Sequence, residues 1–213
     1  DPVLPQDANY LIMEATYGDT THPEPDEAYA MLRDLVRQTI ERGGKVIIPA
    51  FAVGRTQELV YNFNRMISAG EIPAVPVFVD SPMAVNATSV FQEHPELFDK
   101  ETQEFIREGR HPALNFKGLN YVRSVEESKA INYMDQPAIV ISASGMMQNG
   151  RILHHLRHNI SDPRNTILIV GWQAPDTLGR NLINGVKEAT IYGDRYEVEA
   201  QVVQISGFSA HAG

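Results

Sequence analysis

The chain has 213 residues, 43% of them hydrophobic and 21% charged, a balance that suits a packed globular protein and excludes wholesale disorder. Its 18 Lys and Arg face 27 Asp and Glu, and the resulting charge of −9 argues against coating duplex DNA by bulk electrostatics, though a locally basic cleft stays open. With no cysteine there is no disulfide scaffold, thiolate zinc site or cysteine nucleophile, which suits a reducing, cytoplasmic setting.

The opening residues Asp1 to Pro5 have neither signal-peptide nor transit-peptide character, and no run approaches a membrane span. With no initiator Met, a piece of a longer polypeptide is expected. Tyr10 to Met13 reads as a strand. A helix is expected from about Asp26 to Arg42, with Leu32, Leu35, Val36 and Ile40 on one face and Gly43-Gly44 as its stop. Lys45 to Pro49 is a second strand. A helix from about Thr56 to Ala69 follows, then a strand over Val75 to Val79. Ala84 to Gly109 reads as helix in pieces, broken at Pro95. Val125 to Met134 reads as a helix capped by Ser124. Ala138 to Ile141 and Thr166 to Val170 are strands, followed by helices from Arg151 to His158 and Leu178 to Ile183. Ala189 to Tyr192 and Glu197 to Ile205 alternate apolar and polar residues, which predicts an antiparallel pair. Continuous apolar strands each followed by a helix imply an α/β fold, a mostly parallel, doubly wound sheet with helices on both faces. Its chemistry belongs where loops leave the carboxyl ends of the strands.

Four such loops stand out: Pro49 to Arg55, Asp80 to Met83, Ser142 to Met147 and Gly171 to Pro175. Arg55, Arg151 and Arg180 fall at or near helix starts, where unpaired N–H groups and an arginine fork favour phosphate. Local pairing of each arginine is the alternative. No nucleotide-binding glycine pattern occurs. Glu14 closes the first apolar run, as a buried anchor or a catalytic carboxylate. His211 lies in a small-residue loop. His154, His155 and His158 share helical spacing that metal sites also use, but no carboxylate accompanies them in the same turn, and packing is the plainer reading. Trp172 could stack on a base or pack at a strand end.

Glu14-Ala15-Thr16-Tyr17-Gly18, Pro49 to Gln57, Asp80 to Ala84, Ser144 to Arg151, Gly171 to Arg180 and Ser206 to Ala212 occur in that order along the chain. Together they resemble the β-CASP branch of the metallo-β-lactamase superfamily, RNA-processing nucleases related to the cleavage and polyadenylation endonuclease. The resemblance implies that Glu14 orients His211 and that His211 faces the scissile phosphate. It also implies RNA-backbone contact by Arg55, Ser81, Ser144, Arg151 and Arg180. A carboxylate that holds one imidazole tautomer leaves the other nitrogen free to donate a proton. The family's H-x-H-x-D-H signature is absent, so this chain is expected to hold no metal ligands and no cofactor of its own. Two zinc ions are expected in a full-length parent that hydrolyses phosphodiester bonds.

The implied organisation is a flank at 1–17 and another at 190–213 from the metallo-β-lactamase lobe, with the β-CASP domain at 18–189. The expected partners are single-stranded RNA and the missing lobe, with no membrane, and the chain alone is expected to be inactive. A non-catalytic nucleotide or phosphate-binding module and a protein-interaction domain are the rival readings.

Overall fold

A computed structural model describes residues 6–107, 113–209 and 211. The first half runs α1 (Pro25–Glu41), β1 (Val46–Pro49), α2 (Arg55–Ser68), β2 (Val77–Asp80), α3 (Pro82–Glu93), a 3₁₀ turn (Pro95–Leu97), α4 (Lys100–Arg107) and β3 (Leu119–Val122). The second runs α5 (Val125–Asn132), β4 (Ile139–Ser142), α6 (Arg151–Asn159), β5 (Thr166–Ile169), α7 (Leu178–Ile183), β6 (Glu188–Ile191), β7 (Asp194–Glu197) and β8 (Gln201–Gln204).

Six strands form one sheet in the order β3-β2-β4-β1-β5-β8, every adjacent pair parallel. Neighbouring residues of a strand point to opposite faces, and the buried side chains divide accordingly. Val46, Ile48, Ile139, Ile141 and Leu168 face α1, α2 and α3 in one core. Ile47, Val140, Ile167 and Ile169 face α6 and α7 in the other. A strand buried on both faces needs apolar residues at every position, which is why these segments read as unbroken runs. The helices supply matching stripes. α1 buries Ala28, Leu32, Leu35, Val36 and Ile40, and α2 buries Leu59, Val60, Phe63 and Met66. Each of the Leu, Val, Ile, Phe and Met side chains, fully buried, contributes roughly 1.5–3 kcal/mol of transfer free energy.

The crossovers place the site. From β1 and β2 the chain passes to helices on the first face, and from β4 and β5 to helices on the second. The loops leaving the adjacent strands β1 and β4 therefore part company and open a crevice at their carboxyl ends.

Several expectations differ from the structure. Tyr10 to Met13 forms no strand and is exposed, because no described segment offers it a hydrogen-bonding partner. Leu119–Val122 is an edge strand that its mixed composition concealed. The antiparallel pair is β6 with β7, whereas Gln201–Gln204, expected in that pair and in a flank, lies parallel to β5 as the other edge of the main sheet. One wet side gives an edge strand the same alternation as a hairpin. Residues 1–5, 108–109, 210, 212 and 213, which belong to the expected flanks and to the expected helix ending at Gly109, lie outside the described residues.

Candidate nucleic-acid interface

Three loops at the carboxyl ends of β1, β4 and β5 meet around a cavity of about 660 Å³. The loop after β1 is fastened from below by the first turn of α2. Thr56 Oγ1 donates to the Phe51 carbonyl at 2.7 Å, and the buried Gln57 Nε2 donates to the Ala52 carbonyl at 3.1 Å. Gly54, with φ +79°, makes the turn into α2, a conformation other residues adopt only at a cost. Phe51 and Val53 are left 51% and 59% exposed at the rim.

The loop after β4 folds back on itself. Ile152 N–H donates to the Ala143 carbonyl and Ser144 Oγ to the Asn149 carbonyl. Its Gly145 lies against the Phe51 ring so closely that a Cβ there would stand 3.1 Å from two ring carbons. The loop after β5 is joined to it through Gln173, which is buried and donates from Nε2 to the Gly145 carbonyl at 3.0 Å. Arg180 in turn donates from Nε to the Gln173 carbonyl at 2.9 Å, with Nη2 on the same oxygen, and its guanidinium lies 5.9 Å from the Trp172 ring centre.

The two ends of the chain close the fourth side. Glu14 Oε2 lies 3.2 Å from His211 Nδ1, with both side chains about half exposed. The same oxygen accepts the Thr16 N–H at 2.9 Å, and Thr16 Oγ1 is 3.4 Å from His211 Nδ1. His22 Nε2 donates to the His211 carbonyl at 3.0 Å, and Ser209 Oγ accepts the His211 N–H. Thr16 and His211 both line the cavity. With Nδ1 directed at a carboxylate, Nε2 is the ring nitrogen left for chemistry.

Of the expected contact residues, the structure brings Arg55 into the cavity wall and turns the other two arginines elsewhere. Arg55 Nη1 pairs with Glu58 one turn on; burial pushes the Arg55 guanidinium down and the Glu58 carboxyl up, each opposed by the other's charge. Arg151 and Arg180 do not line it, because each guanidinium is used to hold a loop. Arg151 Nη1 meets Asp80 Oδ1 at 2.6 Å and Nη2 donates to the Arg123 carbonyl. Ser81 is buried as the N-cap of α3, accepting the Ala84 N–H, and Ser144 braces its own loop.

Asp80 is the residue that sequence reasoning passed over. Fully buried at the end of β2, it accepts from Arg151, His155 Nε2 at 2.6 Å and Ser128 Oγ at 2.5 Å. Burial works to raise its pKa, but those hydrogen bonds outweigh it and hold the carboxyl below its usual range. An acid directly after the apolar run Val77-Phe78-Val79 is the signal, the same one that picked out Glu14. His155 is therefore a buried partner of Asp80, while His154 packs on Tyr192 and His158 on Tyr133. Among the described residues no three His, Cys, Asp or Glu side chains come together as metal ligands.

The model of the Beta-Casp domain matches residues 56–182. The chain is 38% identical over its whole length to Ribonuclease TTHA0252 of Thermus thermophilus, covering 49% of that protein. It is 36% identical to the Transcription termination factor FttA of Methanosarcina mazei, over 95% of this chain and 33% of the relative. It is also 34% identical to an RNase J-like protein of Methanocaldococcus jannaschii, over 94% of this chain and 46% of the relative. The chain thus spans half or less of the length of these curated relatives.

Proposed function

Because the chain belongs to the β-CASP family of metallo-β-lactamase nucleases, we propose that it is the RNA-clamping part of a ribonuclease. Single-stranded RNA lies across the crevice at the carboxyl ends of β1, β4 and β5. Arg55 attracts the backbone there, and Glu14 holds His211 so that Nε2 can move a proton at the scissile phosphate. Arg151 and Arg180 act through the loops they fasten. The observation that carries the reading is the Glu14–His211 pair, whose imidazole lines the cavity into which those loops open.

The family's zinc pair, which would supply the attacking water, belongs on this reading to a part of the polypeptide outside this chain. Among the described residues Glu14 and His211 make one carboxylate–imidazole pair, fewer ligands than a catalytic zinc site uses. Residues 18–189 are proposed as the RNA-facing domain, with β8 completing its sheet, and the residues on either side as its links to the catalytic lobe.

The test is an anisotropy titration of the 213-residue chain with labelled single-stranded RNA at low and moderate salt. Salt-sensitive binding without cleavage is expected, since phosphate contacts release counterions. No binding at low salt would overturn the clamp, and cleavage by the chain alone would overturn the assignment of the metal to another part.

A further inference from the structure

We propose that Phe51, Met146 and Trp172 form a nucleobase subsite in the same cavity, so that the protein takes RNA with one base unstacked beside the phosphate that faces Arg55. This deepens the clamp reading and rests on it. A groove that gripped only phosphate would be walled by N–H donors and cations. This wall is instead largely apolar, with Pro49, Phe51, Met146, Val170 and Trp172 lining the cavity alongside His211 and the paired Arg55 and Glu58. A flat apolar surface next to a cation and an imidazole matches a nucleotide, which carries a flat π-face beside an anion.

Phe51 is held for this task. Its carbonyl is fixed by Thr56 Oγ1 and its ring rests on Gly145, yet it belongs to neither core and stays half exposed. Trp172 is partly exposed, and Arg180 lies over its ring while anchored to the Gln173 carbonyl. Two aromatic rings are therefore fixed by neighbouring loops without either being needed to fill the interior. The cavity, about 660 Å³, is of the size that houses small ligands.

Trp172 is the only tryptophan in the sequence, so its fluorescence reports on this wall. The 213-residue chain would be titrated with a single-stranded RNA oligonucleotide and with the same oligonucleotide made of abasic riboses. The intact RNA is expected to quench Trp172 and to bind more tightly. Phe51→Ala should weaken its binding by about 5- to 150-fold, the range of one base–aromatic stack. Binding of the abasic strand should be unchanged, and Phe51→Tyr should restore the loss. A circular-dichroism melt of Phe51→Ala identical to that of the parent chain would exclude misfolding as the cause. If Phe51→Ala weakens both strands equally, or neither, the subsite is refuted while the clamp stands. If neither strand binds, the clamp reading itself falls.

Discussion

Arg151 Nη1 stands 2.6 Å from Asp80 Oδ1, and the carboxylate it meets is fully buried. The carboxyl end of β2 is thereby tied to the first residue of α6, and through it to the loop after β4. His155, one turn along α6, binds the second carboxylate oxygen. Asp80→Ala would leave a guanidinium and an imidazole without their shared acceptor. A loss of about 3–5 kcal/mol is expected, read from urea unfolding; a loss under about 1 kcal/mol would show that the cluster does not hold the fold.

The same carboxylate sets an acid limit. Its pKa is lower in the fold than in the unfolded chain, where it is about 3.9. The stability it adds is complete above the unfolded value and is lost as the pH falls through the folded one. Urea midpoints should therefore show no loss from Asp80 between pH 7 and pH 5 and a growing loss below about pH 4. Asp80→Asn, less stable throughout, should lack that component, and an acid limb of unchanged depth would refute the assignment.

Gly179 leaves room for Gln173. A Cβ there would stand 1.7 Å from Gln173 Oε1 and 2.8 Å from Met147 Cε, and the buried amide is tethered to the Gly145 carbonyl. Gly179→Ala is expected to destabilise by about 1–3 kcal/mol. Gly171→Ala, with open space around its Cβ, should stay within about 0.5 kcal/mol. Equal effects at the two positions in thermal melts would contradict this account.

Arg55 should contribute to RNA affinity as one phosphate contact. Arg55→Gln is expected to weaken binding at every sequence alike and to reduce the slope of log affinity against log salt by about 0.7. An unchanged slope would mean that Glu58 keeps the guanidinium to itself.

His211→Ala in the full-length protein should lower RNA cleavage by about 10²- to 10⁴-fold if its Nε2 moves the proton. RNA affinity should change by only a few-fold. A parallel collapse of affinity would make His211 a binding residue rather than a proton carrier.

The doubly buried strands were legible because their environment demands apolar residues at every position, and the helices because α1 and α2 repeat them at helical spacing. Edges were not. Asn120 in β3 and the glutamines bounding β8 reflect strands with one neighbour, whose composition a loop or hairpin could share. Tyr10 to Met13 shows the converse, since an apolar run specifies a strand only where a partner exists. At the site, Glu14 and His211 come from opposite ends of the sequence, and only the fold brings them within 3.2 Å of each other. The arginines were harder to read. Position at a helix start fixes where a backbone stands but not which way a long side chain turns, so Arg151 and Arg180 became braces. Asp80 heads a loop that the sequence singles out, but its role as the shared acceptor of Arg151, His155 and Ser128 depends on partners 48 to 75 residues away.

β1 acquires its neighbours late. Val46–Pro49 pairs only with β4 and β5, so both of its edges stay bare during synthesis until Ile139 and then Thr166 have left the ribosome. At ordinary translation speeds that interval is on the order of 5–20 s. For that time its backbone N–H and C=O groups lack the strand partners of the finished sheet. The strand at the centre of the finished sheet thus depends on residues made long after it, and translation halted before β4 would leave both of its edges without those partners.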